Sequence, residues 1–303
     1  MNPRTKILAF LAALALLASA CGGTETVDAT APETNTTEQD TTDDTTDDVA
    51  DETTEAEPVA DAINGGKPII ELPGGDAPIE LISEDLISTD GELAEPGDLL
   101  VMHYVGVLFD DGSEFDSSWD RFQTFNFVLG NGNVIQGWDD GIEGMAVGSR
   151  RQLTIPAQFA YGDNSPSPAI PPGSALVFVV DLVAAHSAHE VDTATENETE
   201  IELSVITEGD GEEVAAGDRI EVLFTIAEAN GDVLQSSWTD GSTAIFGVGG
   251  DLLEVFVGWS EPLVGQNVGD EVRIVVPPEF GPAAGQPDAV ALVTHITVLD
   301  IVS

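Results

Sequence analysis

The sequence predicts an α+β fold that occurs twice along the chain, and three observations predict it. Most apolar segments are short, rich in β-branched or aromatic residues, and end at Gly, Pro or Asp, which is the strand pattern. One stretch, 133–145, spaces its apolar residues at helical intervals instead. A set of short motifs recurs about 120 residues further on, the mark of an internal repeat.

The strand segments of the first copy are LLVMHYVGVLF (99–109), FNFVLG (125–130), RRQLTIP (150–156) and ALVFVVDLVAA (175–185). In the helical stretch NVIQGWDDGIEGM, residues Val134, Ile135, Trp138, Ile142 and Met145 share one face, and that face is expected to lie against the sheet. STDGELAEPGD (88–98) is echoed by EGDGEEVAAGD (208–218), and FDSSWD (115–120) by LQSSWT (234–239). The span 134–162 is echoed by 255–283, and LVFVVDLV (176–183) by ITVLDIV (296–302). The expected domains are therefore 67–186 and 201–303, joined by a polar linker at 187–200.

The N-terminus reads as an address. In residues 1–20, Arg4 and Lys6 precede an apolar run from Ile7 to Leu17 and then small residues, the layout of a secretory signal. The only cysteine of the chain, Cys21, follows at once and has no partner for a disulfide or a metal site. LLASA-Cys21 resembles the lipobox of bacterial lipoproteins, with Ala18 where that pattern usually has Leu, Val or Ile. The resemblance implies lipidation at Cys21 and an extracytoplasmic protein anchored to the cell membrane of a bacterium. Residues 21–66, rich in Thr, Asp and Glu and without an aromatic ring, cannot bury enough surface to offset their ordering entropy and are expected to form a disordered acidic tether.

Formal net charge is −48, and of eight basic residues two, Arg4 and Lys6, belong to the leader. Nothing remains that could neutralise a run of phosphates, which excludes nucleic acid as a partner. An anionic membrane would repel this chain, so the membrane is reached through the lipid alone. The acidity fits saline surroundings, or is the sum of a tail and well-solvated faces.

Residues 114–141 hold six of the eighteen aromatic residues: Phe115, Trp119, Phe122, Phe125, Phe127 and Trp138. Some are needed for a core, and Trp138, Val134 and Ile135 would pack in any domain of this shape; Asp116 beside two serines could be a turn residue. Taken together they also suit one apolar pocket. The span from Val101 to Gly162, followed by AIPPGSALVFVVDLV (169–183), resembles the FKBP-type peptidyl-prolyl isomerase domain. The resemblance implies a half-open, bent antiparallel sheet wrapped around one short helix, with an apolar pocket between them. It implies rotation of Xaa-Pro amides, with Tyr104, Asp116, Tyr161 and Phe178 as catalytic residues. Phe115, Arg121, Phe125, Val134, Ile135, Trp138 and Ile170 are then the substrate-binding residues, and SPSPAIPPG (165–173) is a lid. The expected partners are proline-containing unfolded or exported polypeptides, with macrolide inhibitors as a further ligand class.

Amide rotation needs no nucleophile, metal or cofactor, and none is expected: His103, His186, His189 and His295 are scattered along the sequence. In the second copy Phe224 stands for Tyr104, Leu234 and Gln235 for Phe115 and Asp116, Pro282 for Tyr161 and Thr297 for Phe178, while Trp259 keeps the place of Trp138. That copy is expected to be a degenerate binding or spacer module. The rival reading of the whole chain is a surface-tethered chaperone or peptide-binding adaptor with little turnover.

Overall fold

The computed structural model of the chain describes residues 66–194, 199–249, 255–286 and 289–302. The leader, Cys21, the tether up to residue 65 and residues 195–198 of the linker lie outside the described residues. The described chain forms two six-stranded antiparallel sheets with the same topology.

In the first, β1 (Ile82–Ile87), β2 (Leu99–Leu108), β3 (Glu114–Ser117), β4 (Phe125–Val128), β5 (Arg150–Ile155) and β6 (Leu176–His186) are ordered β1-β5-β6-β2-β3, with β4 also paired to β2. Strand β2 serves two partners on one edge: Val105–Val107 pair with β3, and Leu99–Met102 pair with β4. The period of two decides its faces. Leu100, Met102 and Tyr104 enter the core under the helix with Leu153, Ile155, Phe178 and Val180. Val105 and Val107 point the other way, where Ile70 and Trp119 cover them.

The helix spans Gln136–Ile142 and is shorter than its apolar pattern suggested. Val134 and Ile135 precede it, Ile135 being extended at φ −64° and ψ 146°, and both still face the core. Gly144, at φ +71°, closes the other end. Two glycines let the helix lie close on β5. A Cβ on Gly137 would stand 2.4 Å from Ile155 Cγ2, and one on Gly141 would stand 2.8 Å from Leu153 Cδ2.

The second sheet holds β7 (Glu202–Thr207), β8 (Arg219–Glu228), β9 (Val233–Ser236), β10 (Ala244–Gly247), β11 (Glu271–Val276) and β12 (Leu292–Val302) in the order β10-β8-β12-β11-β7, with β9 also on β8. Its counterpart of the helix has a single turn, Val257–Ser260. Pro262 falls where the first copy has Gly141, and a proline there removes a helix N–H and crowds the preceding turn.

The register corrects one expected correspondence. Gly106 faces Phe178 across β2 and β6, and its equivalent Ile226 faces Thr294 across β8 and β12. Phe178 therefore corresponds to Thr294, and Thr297 to Asp181; the echo of β6 begins at Leu292, not Ile296. The loop before this strand causes the slip: residues 162–174 are matched by only 283–290. Strands β1 and β3 carried no strand signal in the sequence. β1, ISEDLI, is exposed at every position on the sheet edge, so no alternating pattern was required of it.

Because the approach of the helix to β5 leaves no room for a side chain, Gly137→Ala should lower the stability of the first sheet by about 1–3 kcal/mol despite the better helix propensity of alanine. Urea unfolding followed by the signals of β1–β6 checks this.

Candidate functional site

The bent first sheet and its helix enclose a cavity of about 160 Å³ lined by residues from four strands, the helix and two loops. Trp138, on the first turn of the helix, forms the floor and is only 4 % exposed. Tyr104 from β2 and Phe178 from β6 stand over it with ring centroids 5.3 Å away at interplanar angles of 81° and 85°. Phe125 from β4 does the same at 5.7 Å and 81°. Each puts a positive ring edge towards a negative ring face, which aligns the rings as walls. Phe115 from β3 meets Phe178 edge-on at 5.5 Å and completes that wall.

The rim is polar and compact. The Tyr104 hydroxyl donates to Asp116 Oδ2, Arg121 Nη1 donates to Asp116 Oδ1, and Arg121 Nη2 donates to the Tyr104 oxygen at 2.9 Å. The Arg121 guanidinium also lies 5.7 Å from the centre of the Tyr104 ring. Burial works to raise the Asp116 carboxyl, but the hydrogen bonds from Tyr104 and Arg121 outweigh it and hold the group below its ordinary range. Burial, and then the hydrogen bond to Asp116, push the Tyr104 phenol up to about 12. At neutral pH the rim is thus a carboxylate, a guanidinium and an intact phenol.

Ser118 fixes Tyr104 in the strand. Its Oγ accepts from the Tyr104 backbone N–H at 2.8 Å, and its own N–H donates to the Tyr104 carbonyl at 3.1 Å. Val134, Ile135 and Tyr161 line the mouth, together with Asn133. Burial, and to a lesser degree the Asp116 charge, raise the Tyr161 phenol above its usual value, so it too is a donor at neutral pH.

Two expected substrate-binding residues sit elsewhere. Arg121 does not reach the cavity and acts on it through Asp116 and Tyr104. Ile170 is buried in the core behind the wall, where Ser165 Oγ donates to its carbonyl at 2.6 Å and tucks the 165–173 loop down. One residue that sequence reasoning passed over proves essential to the shape. A Cβ on Gly106, in the middle of β2, would lie 2.7 Å from both the Phe115 and the Phe178 ring. A glycine inside an otherwise β-branched strand was the available signal.

The equivalent place in the second copy is lined differently. Ala244 stands where Phe125 forms a wall, and Thr294 where Phe178 does. Phe256 replaces Ile135 and lies 5.1 Å from Trp259, which is fully buried. The rim pair has become Gln235 and Asp240, joined by a 3.0 Å hydrogen bond and lacking the cation.

Fold and site together define a duplicated bent-sheet domain whose first copy holds a ring-lined pocket. The family described as FKBP-type peptidyl-prolyl cis-trans isomerase matches residues 91–183 and again 210–290, and the chain belongs to it. Over 119 residues it is 50% identical to an FK506-binding protein of Streptomyces anulatus, covering 39% of this chain and 96% of that one. A probable FK506-binding protein of Corynebacterium glutamicum is 53% identical over 119 residues, covering 39% and 98%. The peptidyl-prolyl cis-trans isomerase FKBP2 of Mus musculus is 48% identical over 95 residues, covering 31% and 67%.

Since Gly106 seats two wall rings, Gly106→Ala should drive them into the cavity and lower kcat/KM on an Xaa-Pro peptide by about tenfold, a cost near 1.4 kcal/mol. A coupled isomerisation assay on the folded variant checks it.

Proposed function

We propose that the first copy accelerates Xaa-Pro isomerisation by holding the proline ring on Trp138 and drawing the amide into a dry, ring-walled space. Planarity of the amide is a resonance effect worth a barrier of about 18–20 kcal/mol. The twisted amide is less polar than the planar one, so a site poor in water favours the state on the way over the barrier. In this reading Phe125, Tyr104 and Phe178 are the walls. The Tyr161 hydroxyl and the Ile135 N–H donate to substrate carbonyls, and Asp116 orients Tyr104 and places a charge near the rotating carbonyl. Arg121 balances that charge.

The observation that carries the reading is the contrast between the two copies. The same scaffold has an open cavity where the walls, rim and Gly106 are present, and a buried Trp259 under Phe256 where they are replaced. This contrast also disfavours the second copy as a peptide-binding cleft.

The clients we propose are exported polypeptides. Residues 1–20 read as a secretory signal and Cys21 as a lipid attachment point, which would keep the enzyme outside the cell membrane on an acidic tether. Two or more acyl chains anchor stably, since each buried methylene contributes about 0.8 kcal/mol. Macrolides that mimic a proline-containing peptide are a further ligand class for the same pocket.

On the full-length chain, Asp116→Ala and Phe178→Ala should each reduce the cis-to-trans acceleration of an Xaa-Pro peptide by about tenfold or more, with circular dichroism unchanged. Wild-type protein that is folded yet gives no acceleration would sink the enzymatic reading. The pH profile offers a second check. Asp116 is ionised well below neutrality and Tyr104 stays protonated up to about 12, so the rate should be flat from about pH 5 to 9. It should fall only in acid, as Asp116 gains its proton.

A further inference from the structure

Three of the four histidines, scattered in the sequence, are gathered where the two sheets meet. His186 ends β6, His189 lies in the linker, and His295 sits in β12. The His189 and His295 rings are 5.8 Å apart, and their side chains are only 4 % and 6 % exposed. Around them the copies are joined by an apolar cluster of Leu99 and Val128 from the first with Leu223 and Trp238 from the second. The Trp238 indole donates to the His186 carbonyl at 2.8 Å and its ring lies 4.6 Å from His189. His189 Nε2 is 2.8 Å from Thr297 Oγ1, a direct link between linker and second sheet.

We propose that this seam is a pH-operated latch, in which the two copies stay docked while His189 is neutral and separate when its ring is protonated. A charged imidazole must donate from both nitrogens. Nδ1 of His189 and both ring nitrogens of His295 are buried without a hydrogen-bond partner. Protonation of His189 in the docked state would therefore bury an Nδ1–H with nothing to accept it.

The neighbouring charges do not rescue it. Asp192 is engaged by His295, whose Nε2 lies 3.5 Å from its Oδ1, and by Arg273, whose Nε donates to both its oxygens at 2.9 Å. Glu271 Oε1 lies 3.9 Å from His189 Nε2, on the nitrogen that Thr297 already engages. Glu92 and Glu190 border the cleft from exposed positions and are screened by solvent. His186 faces Asp98, which works to raise it, yet burial prevails and lowers it. An open cleft of about 740 Å³ beside the cluster admits water and protons to its edge.

The sign follows from His189. Burial first, then His295 and His186, lower it from 6.5 to about 3. Docking is fully supported above 6.5 and is weakened as pH falls from there towards 3. For this residue alone the docked-to-undocked ratio drops up to about tenfold per pH unit, and about thirtyfold by pH 5.

The test is ¹⁵N relaxation on the full-length chain between pH 8 and pH 4.5, comparing the tumbling of β1–β6 with that of β7–β12. One shared correlation time at pH 8 should give way to two shorter ones near pH 5, with both sets of strand amides still protected. In His189→Gln/His295→Gln the copies should tumble together across the whole range. Shared tumbling of the wild type down to pH 4.5, or acid separation unchanged in the double variant, overturns the latch. If the double variant does not dock at pH 8, the wild-type imidazole resonances decide. His189 titrating near 6.5 in the docked chain refutes the proposal, and titration displaced well into acid, concerted with separation, supports it.

Discussion

The edge-to-face contacts of Tyr104 and Phe178 on Trp138, each at 5.3 Å between ring centroids, determine where much of the first copy must lie. For both rings to meet one indole, β2 and β6 must be neighbours and the helix must cross beneath them. The helix can come that close only because Gly137 and Gly141 present no side chain to β5. The walls in turn must leave Trp138 uncapped, and this is where Gly106 matters, because it gives Phe115 and Phe178 space to stand back from the cavity. In the second copy the indole is still ringed, by Phe224 and Phe246 at 5.5 Å and by Phe256 at 5.1 Å. Ring packing suffices for a core; leaving one ring face open is the added requirement of a site.

A chain with 56 acidic residues has few cations, and their placement is selective. Arg121 serves Asp116 at the rim, and Arg150 serves Asp181, a fully buried carboxylate on the opposite face of the sheet from the pocket. Arg151 pairs Asp85 and ties the edge strand β1 to β5, and Arg273 pairs Asp192 in the linker. Lys67 holds Glu114 and Asp120, pinning the segment that enters the first domain onto β3 and the turn before β4. Exposed pairs of this kind contribute little each. Asp181 differs, because burial raises its carboxyl and Arg150 is what keeps the charged form tolerable. The surface is thus free to be anionic while the positive charges sit at joints.

Much of this was legible in the sequence, for physical reasons that also explain the failures. The long strands β2, β5 and β6 could be read because they are buried over most of their length and carry β-branched and aromatic residues. Strand β1 could not, since an exposed edge strand needs no periodicity. The helix is shorter than the pattern because Val134 and Ile135, although outside it, face the same core as the helical face. Among site residues, those whose side chains make the cavity were visible as an aromatic cluster with a polar rim. Gly106 was not, because it contributes an absence of atoms. Ile170, expected at the pocket from the family resemblance, packs into the core with its side chain buried. The β12 register was missed because it depended on the length of the preceding loop, which is shorter in the second copy.

The parts of the repeat that survive in both copies separate scaffold from site. Ser118 Oγ accepts from the Tyr104 N–H, and Ser237 Oγ accepts from the Phe224 N–H at 3.1 Å, so the SSW motif satisfies the central strand's backbone whether or not that strand carries a phenol. The tryptophan of the motif has been reassigned. Trp119 stacks on His103 at 4.3 Å on the outer face of the first sheet, whereas Trp238 reaches across to His186 and His189 and becomes part of the seam. The second copy has lost its rim cation, and its Leu223 and Trp238 pack against Leu99 and Val128 of the first. The second copy is thus a folded partner packed against the first, and His186, His189 and His295 lie at that contact and not at the ring-lined pocket.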